Sequence, residues 1–198
     1  MPRRTWVEWA AADGLLRAYE PTADELAACA DQLSQDYNEP HNRAMMANEK
    51  LMSPQAVIEH WAGLAEQADR PFLLERDGVL MGDADLRHIE AGRAEFAIMV
   101  GSRKAQGQGV GTRFAGMLHV LAFESLGLQR VYVSIIPPNT ASRRLFEKLG
   151  YRNDDSAQAR SYAEDPSDIC MSVSRAEFES AWLHPQGARD AIRLGTRA

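Results

Sequence analysis

The sequence predicts a mixed α/β fold of the α+β type, in which a mostly antiparallel central sheet is flanked by helices. Three strand-like segments follow one another closely, and helix-like segments with a periodic apolar face lie before and after that run. The chain has 198 residues, of which 45% are hydrophobic, so it can bury a sizeable core. We expect one domain over residues 1–184 and a polar, loosely held tail over residues 185–198.

The first predicted elements are a strand and two helices. Residues 14–20 fit a short strand. Thr22, with a glutamate three residues later, is typical of a capped helix start, and Ser53 followed by Pro54 marks a second start. Apolar residues recur at helical spacing after both signals. Between the two helices, residues 38–52 fit either a loop or a short helix that covers a site.

A meander of three strands is predicted next. Residues 71–76 and 79–88 flank Asp77 and Gly78, a dipeptide that suits a tight hairpin turn. A third strand is expected over residues 94–100. Because hairpins join neighbouring strands, this part of the sheet should be antiparallel.

Two further helices and two strands complete the predicted order. The apolar face after the glycine-rich stretch indicates a helix over residues 110–126, which Gly127 can end in a left-handed conformation. Residues 130–136 are rich in β-branched side chains and predict a strand. Asn139 can cap a short helix, and residues 168–174 fit a last strand.

Charge and cysteine content exclude several classes of function. The formal net charge is -6 and the two signs are interspersed, which argues against nonspecific nucleic-acid binding. Cys29 and Cys170 lie far apart, without the spacing of a metal site or a disulfide framework. No run of about 18 apolar residues predicts a membrane span. We expect a cytoplasmic protein that binds no nucleic acid, membrane or metal.

Three alternating glycines mark the most informative stretch. Gly107, Gly109 and Gly111 precede an amphipathic helix, whose first turn leaves backbone N–H groups free to bind an anion. Glycines would let phosphate oxygens approach those amides, although a flexible surface loop is the alternative interpretation. The stretch lacks the lysine that a P-loop requires, and Thr112 stands where a dinucleotide fingerprint needs glycine. A different phosphate ligand is therefore favoured.

Two stretches together resemble the GNAT superfamily of N-acetyltransferases. The run QGQGVG at residues 106–111 matches that family's Q/R-x-x-G-x-G/A signature, and RVYVSIIPPNTASRRLFEKLGY at residues 130–151 resembles its later strand and helix. The close match covers about residues 94–151. The resemblance implies acetyl-CoA-dependent transfer to an amine, with acetyl-CoA in a cleft where two parallel strands splay apart.

The resemblance also implies which residues bind the coenzyme. They lie at the end of one strand, in the glycine loop and at the start of the next helix: Ile98, Met99, Val100, Gln106, Gly107, Gln108, Gly109, Val110, Gly111, Thr112, Asn139 and Ser142. The strand would pair with the pantetheine arm, the loop amides would hold the pyrophosphate, and the last two residues would contact pantetheine or sulfur. Asn139 can also simply cap its helix. Gln106 could point at phosphate or at solvent.

The catalytic groups are predicted less directly. Glu95 is the first choice for a base because it lies on the strand that leads to the acetyl site, although an exposed strand carboxylate is the alternative. Asp83 and Asp85 alternate along the neighbouring strand and could bind a cationic substrate, although a solvated sheet face is the favoured interpretation. His119 is interpreted as structural.

The family's usual acid is absent from its position. Many members have tyrosine where this chain has Phe146, and a phenyl ring cannot donate a proton. Tyr151 or Ser142 could replace it, water could protonate the thiolate, or the thiolate could leave unassisted because a thiol pKa is near 8.5. The last two are favoured.

The predicted function is therefore acetyl-CoA-dependent N-acetylation of a primary amine on a small molecule or a peptide. The alternative is a noncatalytic acyl-CoA-binding or regulatory module, which Phe146 motivates. The amine, the acyl preference and the oligomeric state, a homodimer included, stay open.

Overall fold

The structure is a computed structural model that describes residues 4–48 and 50–197. Its strands are β1 (Arg4–Ala11), β2 (Gly14–Tyr19), β3 (Arg70–Arg76), β4 (Val79–Glu90), β5 (Arg93–Val100), β6 (Arg130–Ile135), β7 (Arg152–Asn153), β8 (Ile169–Ser174) and β9 (Ile192–Arg197). Its helices are α1 (Ala23–Asn38), α2 (Pro40–Met45), α3 (Pro54–Glu66), α4 (Val110–Val120), α5 (Thr140–Lys148), α6 (Ala157–Arg160), α7 (Arg175–Phe178) and α8 (His184–Gln186). Short π-helical turns follow α4 and α7, and a 3₁₀ turn precedes β9.

All the strands described belong to one sheet, in the order β7-β8-β6-β5-β4-β3-β2-β1-β9. Every neighbouring pair is antiparallel except β5 and β6. That parallel pair is registered only from Arg93 opposite Arg130 to Glu95 opposite Tyr132, and beyond these residues the strands separate. The predicted fold class is confirmed, including the splayed parallel pair.

Local sequence signals explain where the helices begin. The Thr22 hydroxyl accepts from the Glu25 N–H and the Glu25 carboxylate accepts from the Thr22 N–H, which makes the predicted capping box. Ser53 caps α3 in front of Pro54. The segment predicted over 38–52 contains the short helix α2, and its Glu49 lies outside the described residues.

Helices cover both faces of the sheet. On one face, α1 and α3 pack Leu33 and Trp61 against Leu73. On the other, α4 buries Phe114 and Leu118 in the larger core cluster. The cleft between β5 and β6 is therefore held between two packed layers. Among the described residues, no helix has both the length and the apolar character needed to cross a membrane.

The chain ends differ from the sequence prediction. Strand β1 was not predicted, and residues 185–198 were expected to be loosely held, yet Ile192–Arg197 forms β9. This strand pairs antiparallel with β1, and Ile192 is buried in the main core. The sheet therefore extends two strands further than the sequence indicated, because the two ends of the chain satisfy each other's backbone hydrogen bonds. The domain limit at residue 184 stays a prediction.

Candidate active site

A large cavity opens where β5 and β6 separate. Its volume is about 950 Å³, and its walls come from both strands, the glycine loop, α2 and the start of α5. This is at the upper end of the range for small-molecule sites. The splayed strands leave β5 without a strand partner on this side, so its backbone can pair with an extended ligand.

The glycine loop supplies an open cradle at one end of the cavity. Gly107 and Gly109 have φ angles of 76° and 78°, and a Cβ added to either would meet no atom within 4 Å. Gly109 is the N-cap of α4 and no side chain caps the helix there. The first N–H groups of α4 are therefore left to an outside partner, as a bound diphosphate requires. The loop fits the phosphates of CoA.

Gly111 is needed for a different reason. A Cβ at this position would lie 3.2 Å from Leu145 Cδ1 and 3.2 Å from Val100 Cγ2. These distances are tighter than ordinary van der Waals contact. The missing side chain therefore lets α4 pack closely against α5 and the end of β5.

The glutamine side chains of the loop hold the loop itself. Gln106 Nε2 donates to Asn42 Oδ1 at 2.8 Å and to the Val100 carbonyl at 2.7 Å. Gln108 Nε2 donates to the Lys104 carbonyl at 2.6 Å. The Gln106 amide is thus bonded within the protein, whereas Gln108 is exposed and does not line the cavity. Coenzyme binding by Gln106 would therefore be through its backbone. That binding stays a prediction.

Asn139 caps α5, which confirms the first of its two predicted roles, a helix cap, and leaves the second, a contact with the coenzyme, untested. Its Oδ1 accepts from the Ser142 N–H at 3.0 Å, and its Nδ2 donates to the Met45 carbonyl at 3.1 Å. Both Asn139 and Ser142 line the cavity. Since Asn42 bonds to Gln106 and Met45 bonds to Asn139, α2 bridges the two sides of the cleft. Direct contact of Asn139 with the coenzyme stays a prediction.

The end of β5 also borders the cavity, as predicted for Ile98, Met99 and Val100. One of the backbone groups there is already used, because the Val100 carbonyl accepts from Gln106. Ile98 and Val100 are only partly buried, whereas Met99 packs into the core cluster formed with α1 and α3. Val110 is buried at the start of α4, and Thr112 borders the cavity.

Strand register places the acidic side chains on one face. Arg87 lies opposite Glu95, Asp85 opposite Ala97, and Asp83 opposite Met99. Because directly opposed residues point to the same face of a sheet, these carboxylates share a surface. They line the cavity. The sequence left the orientation of Glu95 open, and the structure turns it toward the cleft rather than toward solvent.

Glu95 is a buried carboxyl group with one cationic neighbour. The residue is 6% exposed, and its Oε1 lies 3.4 Å from Arg87 Nη2. Burial raises the pKa of Glu95 to about 7, although the Arg87 guanidinium acts in the opposite direction. A carboxyl group with this pKa can accept a proton at neutral pH.

Asp83 is also buried and Asp85 is partly buried, and the pKa values of both carboxyl groups are raised. Burial raises the pKa of Asp83 to about 7 and that of Asp85 to about 6. The Tyr37 hydroxyl donates to Asp83 Oδ2 at 2.7 Å. Asp85 Oδ1 lies 2.9 Å from Arg87 Nε, as an ion pair without hydrogen-bond geometry. The interpretation of this strand as a solvated face is wrong.

Tyr151 is not brought together with the other predicted site residues. It is buried, and its hydroxyl is 2.6 Å from His119 Nε2. The His119 Nδ1–H donates to the Ala115 carbonyl, so in the neutral ring Nε2 accepts from Tyr151. Burial lowers the pKa of His119 to about 4, which keeps that ring neutral. Tyr151 does not line the cavity, so its position does not support the predicted role as an acid.

Phe146 does line the cavity and packs edge-on against Phe96. The departure from the family's tyrosine therefore lies within the site. Sequence analysis did not assign Tyr37 and His60 to the site, yet both border the cavity. They come from α1 and α3, and no local motif marks them. Only the packing of those helices over β4 brings them there.

Comparison with known proteins places the chain in a family. A sequence model described as the acetyltransferase (GNAT) domain matches residues 15–152. The spermidine N(1)-acetyltransferase of Escherichia coli strain K12 is 33% identical over 89 residues, which cover 43% of this chain and 47% of that protein. The chain thus matches about half the length of this curated relative.

Solved structures share the fold. An aminoglycoside acetyltransferase AAC(6')-Ib in complex with coenzyme A has a TM-score of 0.68 at 18% identity, over 83% of this chain and 98% of that one. RimJ of Mycobacterium smegmatis in complex with CoA-disulfide has a TM-score of 0.69 at 19% identity, over 96% of both chains. These likenesses concern the arrangement of the backbone.

Proposed function

Because the chain belongs to the GNAT acetyltransferase family, we propose that it is an acetyl-CoA-dependent N-acetyltransferase that modifies a primary amine. One observation carries the proposal. The parallel strands β5 and β6 separate after three registered pairs, directly beside a glycine loop whose amides are uncovered. That combination offers an extended edge for pantetheine and a cradle for the diphosphate. The cytoplasm is the proposed location.

The chemistry places two demands on the protein. Acetyl-CoA supplies an activated acetyl thioester, and the acceptor nitrogen must be unprotonated to attack it. Glu95 is the proposed base, because it lines the cavity and its pKa is raised to about 7. Arg87 holds the Glu95 carboxylate in place. A backbone N–H near Met99 or Val100 would stabilise the negative charge that develops on the carbonyl oxygen.

The leaving thiolate needs no strong acid. Phe146 offers no proton, and the Tyr151 hydroxyl donates a hydrogen bond to His119 Nε2 instead. A thiolate is a tolerable leaving group because its conjugate acid has a pKa near 8.5. We propose that the thiolate departs unassisted or takes a proton from water. Ser142 is the alternative proton donor that the sequence suggested.

The acceptor is proposed to be a small-molecule or peptide amine. The relative named as a spermidine N(1)-acetyltransferase supports a small amine, within the part of the chain that it matches. No nucleic-acid partner is proposed. A noncatalytic acyl-CoA-binding module remains the second candidate function because of Phe146. For the oligomeric state, a homodimer is kept as an alternative to a monomer.

An amine panel tests the proposed function. Purified protein would be incubated with acetyl-, propionyl- or succinyl-CoA and with alkylamines, polyamines, aminoglycosides or peptides, and thiol release would be followed. Thiol release that depends on an amine is the expected result, with mass spectrometry of the acetylated product as confirmation. Tight acetyl-CoA binding without turnover of any amine would instead favour the noncatalytic module.

A further inference from the structure

Three buried carboxylate oxygens of residues that line the cavity have no hydrogen-bond partner among the described residues. Asp85 Oδ1 has Arg87 as an ion-pair partner, whereas Asp83 Oδ1 and Asp168 Oδ1 have none, and the residues of these two are 8% and 5% exposed. Buried polar atoms are nearly always paired, so each unpaired one calls for an explanation. In a cavity that binds a ligand, the missing partner can be the ligand.

Of the two, Asp83 is the better candidate for a ligand contact. Asp168 uses its other oxygen to order its own loop, where it accepts from Ser134 Oγ and from the N–H groups of Glu164 and Asp165. Asp83 has one described hydrogen bond, from the Tyr37 hydroxyl to Oδ2. Hydrogen bonds within the protein therefore explain much of the placement of the Asp168 side chain and little of the placement of the Asp83 side chain.

The charges around Asp83 are not balanced. Arg87 lies within ion-pair distance of both Asp85 and Glu95, so a single guanidinium serves two carboxylates. No described ion pair includes Asp83. Asp85 and Asp36 raise the pKa of Asp83 further after burial, as expected where negative charge outweighs positive. A cation bound here would meet an acidic wall.

Position relates Asp83 to the proposed base. Glu95 lies opposite Arg87 in the register of β4 and β5, and Asp83 is four residues before Arg87 on the same face. At about 3.3 Å per residue, Asp83 lies roughly 13 Å along the strand from the level of Glu95. An acceptor that reaches from one to the other must be extended.

A metal ion is the less suitable occupant. The described part of the chain has no cluster of three or more histidine, cysteine or acidic side chains that could hold one. Water could satisfy the hydrogen bond of Asp83 Oδ1 but would not balance the charge that Asp83 carries when it is ionised. An ammonium group does both, because it donates hydrogen bonds and carries positive charge.

We propose that the acceptor carries a second ammonium group, and that Asp83 binds it while the amine to be acetylated lies at Glu95. This inference rests on the proposed acetyl transfer and names its substrate class, an extended diamine or polyamine. The attacking nitrogen, as the neutral amine, forms the new C–N bond as the C–S bond breaks. Bond formation leaves this nitrogen with one proton more than the amide product has; that proton passes to the ionised Glu95 carboxylate, and the thiolate takes a proton from solvent.

Wild-type protein tests the inference with matched amines. Alkyl diamines from 1,3-diaminopropane to 1,8-diaminooctane would be compared with n-alkylmonoamines of equal chain length, with acetyl-CoA as donor. We expect kcat/KM of the best diamine to exceed that of its monoamine by about tenfold to a hundredfold, since hydrogen bonds to charged groups have that strength. The longer diamines should be preferred because of the distance to Glu95.

The variant Asp83→Asn should reduce the ratio of diamine to monoamine kcat/KM to near one. Glu66→Gln, which removes an exposed carboxylate on α3, is the matched control and should keep the wild-type ratio. Equal kcat/KM for both series in wild-type protein would overturn this inference and leave acetyl transfer standing. No turnover of either series would overturn this inference, and it would overturn acetyl transfer as well only if aminoglycosides and peptides also gave no thiol release. The wild-type comparison needs no variant, so a misfolded Asp83→Asn protein would not remove the test.

Discussion

The two sides of the cleft are built in different ways. The side proposed to bind the coenzyme, here the coenzyme side, is made of residues close together in the chain, from the end of β5 through the glycine loop to the first turn of α4. The side proposed to bind the amine, here the acceptor side, joins Tyr37 of α1, Asp83 of β4 and Glu95 of β5, which are distant in sequence. One side depends on exposed backbone, and the other depends on buried charge.

This difference separates two kinds of perturbation. A change on the coenzyme side acts through steric blockage and through repulsion of phosphate. A change on the acceptor side acts through protonation, because burial raises the pKa values of Asp83 and Glu95. Variants on the two sides should therefore give different signatures, in coenzyme affinity and in the pH dependence of turnover respectively.

The largest effect is expected from Gly109→Glu. Any L-residue at φ 78° is strained, and a carboxylate there would meet the phosphates of the coenzyme. Isothermal titration should show that the affinity for acetyl-CoA falls by at least about a hundredfold. That is two factors of ten, each of which corresponds to about 1.4 kcal/mol of binding free energy. Gly111→Glu should abolish binding as well, because it adds a bulky side chain beside Leu145 and Val100 and a negative charge near the phosphates.

Gly127→Glu is the matched control for Gly109→Glu. Gly127 has a φ angle of 67°, and an added Cβ would also meet no atom within 4 Å. It lies after α4 and does not line the cavity. The control should show similar backbone strain with wild-type affinity. If Gly109→Glu and Gly127→Glu bind acetyl-CoA equally well, the loop does not hold the phosphates.

The second effect concerns Glu95→Gln and the pH profile. If Glu95 is the base, it works only when ionised, so wild-type kcat/KM should rise with pH and level off above about 7, the raised pKa of the carboxyl group. The variant should lose about a hundredfold in kcat/KM and lose this limb of the profile. Acetyl-CoA affinity should stay close to wild type.

The pH profile separates a base from a structural carboxylate. A merely structural Glu95 would affect stability without changing the shape of the profile. Full activity of Glu95→Gln across pH would remove Glu95 as the base and leave the acceptor side without its proposed catalytic group. Asp190→Asn, on the 3₁₀ turn before β9, is an exposed control that should leave the profile unchanged.

Sequence predicted those parts of the fold that local signals determine. The hairpin at Asp77 and Gly78, the capped starts of α1 and α3, and the strand before the glycine loop were all found. Strands β1 and β9 were not, because each is stabilised by pairing with the other end of the chain. Contacts between distant residues leave no periodic signature in either segment.

The same limit applies to the site. The glycine loop could be predicted because bare backbone before a helix is itself the signal. The bonds of Gln106 to Asn42 and Asn139 to Met45 could not, since the sequence left residues 38–52 as either a loop or a short helix that covers a site and indicated no partner for Gln106 or Asn139 there. The burial of Asp83 depends on the register of β4 with β5 and on packing by Tyr37, which no pattern in the sequence encodes.

The smallest effect on catalysis is expected from Tyr151→Phe, which asks whether the core behind the cleft takes part in the chemistry. The variant removes the hydroxyl that bonds to His119 and leaves Nε2 of a buried ring unsatisfied. We expect a loss of about 1 to 3 kcal/mol in the free energy of unfolding and a kcat within about twofold of wild type. Urea titration and steady-state kinetics measure the two quantities.

A double variant separates the two interpretations of Tyr151. Replacing both polar partners by apolar groups removes the unsatisfied atom, so His119→Phe with Tyr151→Phe should recover part of the stability lost in the single variant. A structural pair predicts this recovery together with near-normal kcat. A large loss of kcat in Tyr151→Phe, without loss of stability, would instead mean that the Tyr151 proton reaches the thiolate. The chemistry would then extend beyond the two walls of the cleft into the core.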